Sequence, residues 1–161
     1  MRPQRFQEFA VETLLKAPDV GDVAPWQDDH RPFGIRIAFS SGAQLWVAIT
    51  AAALSDDYDR PEVPVLDVPP TEVPVPDVYE DGKITPARAE QYLAAVLTNS
   101  GSAEIRRVYG YTTGERATDP SHNPGLGMEF HSNSKIFMLF AHTARPGQGQ
   151  GGKPFELQSS F

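Results

Sequence analysis

Residues 34–50 decide the fold, and they read GIRIAFSSGAQLWVAIT. Apolar side chains alternate with polar or small ones on both sides of Ser40-Ser41-Gly42, a pattern typical of two half-buried strands. Glycine readily takes the left-handed position of a three-residue loop, so the stretch predicts a hairpin. In that register Arg36 pairs with Trp46 on one face. The other face carries only apolar side chains: Ile35, Ile37, Phe39, Ala43, Leu45, Val47 and Ile49.

A second hairpin is predicted near the other end of the chain. Residues 127–131 and 135–142 alternate in the same way around Ser132-Asn133-Ser134, and residues 103–112 predict one more strand. The apolar side chains of this hairpin again share one face: Met128, Phe130, Ile136, Met138 and Phe140.

Two amphipathic segments predict helices. Residues 3–16 have apolar side chains at helical spacing, and a second such segment begins after Thr85-Pro86 and ends at Asn99-Ser100-Gly101. Each helix has one apolar stripe that needs a sheet to pack on. We therefore expect an α+β fold with an antiparallel sheet of about five strands, built from two hairpins plus one strand, and two helices packed on one face.

The two hairpins are preceded by similar sequences. His30-Arg31-Pro32 and His122-Asn123-Pro124 each lead through glycine into a hairpin, and a helix precedes each unit. The match predicts an internal αββ duplication, although it requires a one-residue insertion. The alternative is that short strands with similar turn residues resemble one another by chance.

Composition limits the available chemistry. The 161 residues include no cysteine, which excludes disulfides, thiolate nucleophiles and cysteine-bound metals. No apolar run has the length of a membrane span, and the first residues lack the apolar stretch of a signal peptide. We expect a cytoplasmic protein with no membrane association and no cofactor. The excess of arginine over lysine is typical of a GC-rich genome, such as that of an actinobacterium or one of its phages.

Acidic residues concentrate in residues 55–82, which we call the acidic ribbon. This segment carries nine acidic residues and one arginine, while the whole chain has a net charge of −7. The remainder is nearly neutral and lacks the basic surface that phosphates require, so no nucleic acid partner is expected. Tyr109 and Tyr111 alternate beside Arg106-Arg107, and cross-strand packing is the preferred interpretation over base stacking. A third hypothesis is an acidic protein that imitates nucleic acid. It would require the carboxylates of the ribbon to be held at the spacing of phosphates.

Prolines and a ten-residue repeat determine the conformation of the acidic ribbon. The sequence EVPVLDV at 62–68 recurs as EVPVPDV at 72–78. Proline lacks a backbone donor and favours extended geometry in the residue before it, so we predict a polyproline-like or edge-strand segment whose valines, among them Val63 and Val73, can contact a neighbour. It is either a solvated connector within a single domain, 1–143, or a surface that binds a partner.

Residues 144–161 form the C-terminal tail. Its glycines between residues 147 and 152 predict a flexible linker, and Phe155, Leu157 and Phe161 follow as apolar anchors. These apolar residues can dock on one of three surfaces: the body of the same chain, a neighbouring subunit or another protein. The alternative is simple fraying of the terminus.

Histidines and carboxylates are the candidates for catalysis. Asp28 and His30 precede the first hairpin, and Asp119 and His122 precede the second. A carboxylate beside an imidazole supplies a base with its orienting partner, or a pair of metal ligands. The spacings match no metal motif, so no metal site is predicted. The alternative is an ordinary turn in which aspartate bonds to the backbone.

The sequence therefore favours a non-enzymatic protein-interaction or assembly module, such as a structural or accessory protein of a phage or mobile element. The expected partner is another protein or a second copy. The predicted contact residues lie on the second sheet face, the ribbon and the tail: Trp46, Phe137, Leu139, Val63, Val73, Phe155 and Phe161. The competing hypothesis is a small hydrolase or metal-dependent enzyme that uses His30 and His122 with nearby carboxylates.

Overall fold

The computed structural model describes residues 1–52, 60–113 and 123–161. Two helices and six strands lie in these parts of the chain. Their bounds are α1 (Pro3–Leu14), β1 (Val20–Pro25), β2 (Gly34–Phe39), β3 (Gln44–Ala52), α2 (Pro86–Thr98), β4 (Ile105–Gly110), β5 (Gly125–Phe130) and β6 (Lys135–Ala144). The strands form one antiparallel sheet in the order β1-β2-β3-β6-β5-β4. The α+β class is confirmed, and the expected number of about five strands is corrected to six.

β1 is the strand that the sequence pattern missed. It pairs with β2 along one edge of the sheet, where Val23 lies opposite Ile37. A bulge between Val20 and Asp22 interrupts the pairing, and Pro25 ends the strand, so its six residues show no regular alternation of burial. Proline and a bulge are tolerated here because the outer N–H groups of an edge strand need no partner in the sheet.

Both helices pack on the same face of the sheet, as expected. α2 begins at a capped end, where Thr85 Oγ1 accepts a hydrogen bond from Arg88 N–H at 3.2 Å. The buried stripes of the two helices include Phe6, Ala10, Leu14, Ala89, Leu93 and Leu97. All predicted core residues of both hairpins belong to the same hydrophobic cluster as these stripes. Neither described helix has the length and apolar character that crossing a bilayer demands.

The chain folds as two αβββ halves. The first half comprises α1 and β1–β3, the second comprises α2 and β4–β6, and β3 pairs with β6 at the centre of the sheet. The strand order is equivalent from either edge, as an approximate twofold axis between β3 and β6 requires. The expected repeat of one helix and two strands thus extends to three strands. Common descent of the two halves stays a prediction.

Matching hydrogen bonds occur in the two halves. Gln7 on α1 donates from Nε2 to the Gly34 carbonyl at 2.6 Å, and Glu90 on α2 accepts at Oε2 from Gly125 N–H at 2.9 Å. Each glycine begins the middle strand of its half. Gln7 and Glu90 are each the fifth residue of their helix, so the two halves use equivalent helix positions to bind equivalent glycines.

Aromatic rings cover both of these glycines. A Cβ atom on Gly34 would lie 2.7 Å from Trp26 Cε3, and one on Gly125 would lie 3.0 Å from Tyr111 Cδ2. Both distances are shorter than ordinary van der Waals contact, so a side chain at either position would clash with the ring. In both halves, an aromatic ring thus packs against the glycine that begins the middle strand.

Candidate interaction surface

The acidic ribbon lies against the body of the protein, and Glu62 is its first anchor. The Glu62 carboxylate accepts hydrogen bonds from Arg5 Nη2 at 2.7 Å and from Arg5 Nε at 2.9 Å. Arg5 also binds Glu104, at 2.7 and 2.6 Å, so one guanidinium joins the ribbon to α1 and to the residue before β4. The hydrogen bonds from Arg5 lower the pKa of Glu62 to about 2, which keeps this carboxylate charged throughout the neutral range.

Backbone hydrogen bonds hold the middle of the ribbon. Asp67 N–H donates to the Ala103 carbonyl at 2.9 Å. Both backbone groups of Val73 bond to the side-chain amide of Asn99. The Val73 N–H donates to Oδ1 at 2.8 Å, and the Val73 carbonyl accepts from Nδ2 at 2.7 Å. The Asn99 amide therefore supplies the donor and acceptor that a neighbouring strand would otherwise provide.

The ribbon returns to the core at its C-terminal end. Val78 is completely buried. The next residue, Tyr79, accepts a hydrogen bond from Ser41 N–H at its hydroxyl, at 3.1 Å. Arg88 on α2 forms an ion pair with Glu80 at 3.0 Å. Together with Glu62 and the backbone bonds at Asp67 and Val73, these contacts fix the path of the described part of the ribbon, residues 60–82.

Between the anchors, the ribbon turns its apolar side chains outward. Val63 is 78% exposed and Val68 is 76% exposed. Eight large apolar side chains are exposed in the described residues, and six of them are on the ribbon: Val63, Val65, Leu66, Val68, Val73 and Val75. Residues 61–79 contain four acidic residues and no basic one. The surface is therefore both apolar and negatively charged, on a backbone held in place by the body.

A groove of about 470 Å³ separates the ribbon from the edge of the sheet. Val73, Pro74 and Pro76 form its ribbon wall, and α2 contributes the small side chains Ala94 and Ala95. Arg107 and Tyr109 line the opposite wall on β4. The ribbon and the outer edge of β4 are therefore close neighbours across an open groove.

The sheet face turned away from the helices, which we call the outer face, is covered in the first half. Trp46 is 5% exposed, so the expectation that it belongs to an uncovered apolar patch is wrong. The His142 ring lies edge-on to two indoles, with centroids 6.4 Å from Trp46 and 5.9 Å from Trp26. Burial lowers the pKa of His142, and the charge of Arg31 lowers it further, so the imidazole is neutral at pH 7.

The C-terminal tail supplies part of this cover. Phe155 N–H donates to the Ala141 carbonyl at 2.7 Å, and the Phe155 ring lies 5.2 Å from Arg31 Cζ. Gln158 binds Thr143 through its backbone N–H at 2.9 Å and its side-chain amide at 3.2 Å. The tail therefore docks on its own chain, which was one of the alternatives left open by the sequence. Phe155 stays exposed on the surface.

Phe161 at the end of the tail lies in the core. It is 3% exposed and exchanges two backbone hydrogen bonds of 2.8 Å with Ile84. Its ring centroid is 6.3 Å from that of Phe39. Because the ring is buried, Phe161 presents no surface to a partner in this fold, and its expected place among exposed contact residues is corrected.

No segment within residues 1–52, 60–113 and 123–161 covers the outer face of the second half, and we call it the open face. Phe137 and Leu139 on β6 are half-buried there. Tyr109 lies above Gly127 on the neighbouring strand, and its ring centroid is 6.0 Å from that of Tyr111. Tyr109 on β4, Tyr111 just after β4, and Phe137 and Leu139 on β6 thus lie on the same side of the sheet as the glycines of β5.

Three cations surround a single carboxylate at the rim of the open face. The nearest nitrogens of Arg106, Arg107 and Lys135 lie 3.2, 3.1 and 3.4 Å from Glu129. Burial tends to raise the pKa of Glu129, but the hydrogen bonds and charges of these three residues outweigh it and lower the pKa. Among the described residues, these three cations share one carboxylate.

The predicted catalytic residues do not form a site within the described residues. The Asp28 carboxylate accepts hydrogen bonds from His30 N–H at 3.0 Å and from Arg31 N–H at 2.8 Å, and it forms an ion pair with the Arg31 guanidinium. This is the turn geometry of the alternative interpretation, and His30 is exposed. Asp119 and His122 lie outside the described residues. Within the described ranges, no group of three or more His, Asp or Glu side chains is arranged to hold a metal ion.

Glu90 is a buried residue that the sequence reasoning missed. It is 0% exposed on α2 and accepts hydrogen bonds from backbone N–H groups of Thr112, Thr113 and Gly125 at 2.9, 2.8 and 2.9 Å, and from both threonine hydroxyls. Its position three residues before Leu93 placed it on the apolar stripe of the helix, and that was the available signal. Glu90 joins the end of β4 to the start of β5.

Comparisons of the chain with protein-family models, with curated proteins and with solved structures find no match.

Proposed function

We propose that this protein is a non-enzymatic interaction module and that the acidic ribbon is its partner-binding surface. The observation that carries the proposal is the combination of a fixed backbone and outward apolar side chains. Exposed contiguous apolar surface on a folded protein is a mark of a binding site. A solvated connector has no need of six exposed aliphatic side chains, and it has no need of anchors such as Glu62 and Asn99 between them.

The anchors favour binding because they reduce its entropic cost. A flexible segment loses conformational freedom when it binds, whereas a segment held in its bound shape has lost that freedom already. Proline-rich extended segments are recognised in this way by grooves lined with aromatic residues. The Arg5–Glu62 contact and the Asn99–Val73 contact therefore serve to present the ribbon.

The chemistry of the ribbon also defines its partner. Asp67, Glu72 and Asp77 alternate with the exposed valines, and no basic residue lies among them. A complementary surface has apolar or aromatic pockets for valine and proline and a rim of lysine or arginine. Such a contact weakens as salt is added, because exposed charges are screened.

Photo-crosslinking tests the proposal. A photoreactive amino acid replaces Val68 in one variant, and in the control variant it replaces Leu15, which is an exposed apolar residue away from the ribbon. We expect a discrete protein adduct in expressing cells at Val68 only. The partner identified in the adduct is then purified without the crosslink. Its affinity for the double variant Val63→Ser/Val68→Ser is expected to be roughly tenfold lower than its affinity for the unchanged chain. Equal crosslinking at Val68 and Leu15, or an unchanged affinity, contradicts the proposal.

A further inference from the structure

We infer that the ribbon binds its partner through residues 62–68, which we call the first repeat, and that Val68 enters an apolar pocket of the partner. The inference rests on the proposed function and deepens it by naming the recognised motif and the site that receives it. Residues 72–78, the second repeat, are identical to the first at six of seven positions. The fold nevertheless uses the two copies differently.

The second repeat is docked on the body of its own chain. The side-chain amide of Asn99 binds both backbone groups of Val73, and Arg88 Nη1 donates to the Asp77 carbonyl at 3.0 Å. Val78, the last residue of the repeat, is 0% exposed and belongs to the hydrophobic core. The protein therefore contains one example of this motif in a bound state, in which an amide holds the backbone and the last valine fills an apolar site.

In the first repeat, the residue equivalent to Val78 is held in place but left on the surface. Val68 is 76% exposed. Its carbonyl accepts a hydrogen bond from His131 Nε2 at 3.1 Å, and its N–H donates to the Asp67 carboxylate at 2.8 Å. The Asp67 N–H donates in turn to the Ala103 carbonyl at 2.9 Å. These bonds fix a valine without burying its side chain, as is expected of a contact residue that is preorganised for a partner.

The backbone before Val68 lacks the contacts that hold the second repeat. Val63 and Val65 form no backbone hydrogen bond within the described part of the chain, whereas both backbone groups of Val73 bond to Asn99. The proline after Val63 favours an extended backbone there, which can pair with a second surface. The docked second repeat thus defines the partner site, which supplies an asparagine or glutamine amide for Val63 and an apolar pocket for Val68.

The single difference between the repeats follows the same division. Leu66 is 67% exposed, while its equivalent Pro76 is half-buried. The first repeat therefore exposes four large apolar side chains and the second repeat only two. Exposed apolar area is unfavourable in water unless a partner covers it, so the larger patch marks the recognised copy. The pocket for Val68 has a basic rim, because the acidic Asp67 lies between Leu66 and Val68.

Matched substitutions in the two repeats test the inference. The probe is the protein recovered from the Val68 adduct and purified without the crosslink, and titration calorimetry with the full chain gives its Kd. Val65 and Val75 hold the same position in the two repeats and are 44% and 43% exposed. We expect Val65→Ser to weaken the affinity at least about threefold more than Val75→Ser, and Val68→Ser to weaken it roughly tenfold.

The control variant is Leu15→Ser, at an apolar residue that is 46% exposed outside the ribbon, and it should leave Kd unchanged. Circular dichroism verifies that each variant is folded. Losses that are equal for Val65→Ser and Val75→Ser, or larger for Val75→Ser, overturn the inference but leave the proposed function in place. If neither these variants nor Val68→Ser change Kd, the ribbon is not the binding surface and the proposed function fails as well.

Synthetic peptides separate the sequence of the motif from its presentation. Peptides of residues 60–70 and 70–80 each contain one repeat, free of the contacts that dock the second repeat in the chain. We expect both peptides to displace the labelled full chain from the probe, with inhibition constants within about fivefold of each other. Val68→Ser in the first peptide should weaken displacement roughly tenfold. A second-repeat peptide that fails to displace the chain overturns the inference, because the partner then does not recognise the motif that the two repeats share.

Discussion

The two halves of this protein share one topology but differ on their outer faces. Trp46 in the first half pairs with the residue two places after Gly34, and Phe137 in the second half pairs with the residue two places after Gly125. Trp46 is buried under neighbouring side chains, whereas Phe137 is half-buried on an open face. Trp26, His142 and the C-terminal tail thus cover the outer face of the first half, whereas no described segment covers that of the second half.

The largest expected difference between the halves is in the cost of removing these two rings. Trp46→Ala should lower the free energy of unfolding by about 3–5 kcal/mol, because a buried indole leaves a cavity. Phe137→Ala should cost about 1–2 kcal/mol, because less apolar area is lost from contact. Urea denaturation at constant m value measures both. Equal losses would mean that the open face is as well packed as the covered one.

The second comparison concerns the polar side chains on the helices. Glu90→Ala leaves one buried and two partly buried N–H groups without an acceptor and should cost about 3 kcal/mol. Gln7→Ala removes one hydrogen bond to the Gly34 carbonyl and should cost about 1 kcal/mol. The urea midpoints of the two variants report the ranking. A larger loss for Gln7→Ala would break the correspondence between the helices.

A pH titration followed by tryptophan fluorescence reports on the first half alone. The expected change in stability is smaller than that of the substitutions above. Both tryptophans of the chain flank His142, so their fluorescence reports on the covered half. The pKa of His142 is lowered in the folded state, so the unfolded chain binds the proton first as the pH falls. Stability should therefore be complete above pH 6.5 and decline below it. His142→Gln should remove this transition, and an unchanged transition in that variant would assign it to another group.

The smallest expected effect is that of the rim arginine. Arg106→Ala should change the stability of the monomer by less than about 0.5 kcal/mol, because Glu129 keeps Arg107 and Lys135. Arg31→Ala in the covered half should cost about 1 kcal/mol, since Arg31 packs against Trp26 and Phe155. Thermal unfolding at low protein concentration compares them. A destabilising Arg106→Ala would indicate that Arg106 contributes more to the fold than its exposed contact with Glu129.

Local features of the structure were predictable because short-range physics decides them. The loop at Gly42 is left-handed, with φ of +89°, and Asn133 takes the same role in the second hairpin with φ of +64°. The alternation that follows each loop fixes which side chains meet the helices. The cap at Thr85 likewise depends on residues within one turn.

The candidate surface was only partly predictable. Exposure of Val63 and Val73 agrees with the prolines around them, which keep this segment out of the sheet interior. The anchors of the ribbon are distant in sequence, and neither the spacing of Arg5 and Glu62 nor that of Val73 and Asn99 carries a local signal. The charge cluster at Glu129 depends on three strands being neighbours.

By itself, the sequence determined the two hairpins, the two helices, the α+β class and the acidic, proline-rich character of the ribbon, because periodicity, turn residues and composition are local properties. Only the tertiary structure decided the sixth strand, the burial of Trp46 and Phe161, and the separation of a covered face from an open one. These features depend on contacts between separate segments, such as the pairing of β1 with β2 and the hydrogen bond from Phe155 to Ala141. Such contacts stabilise the protein only after folding has brought the segments together.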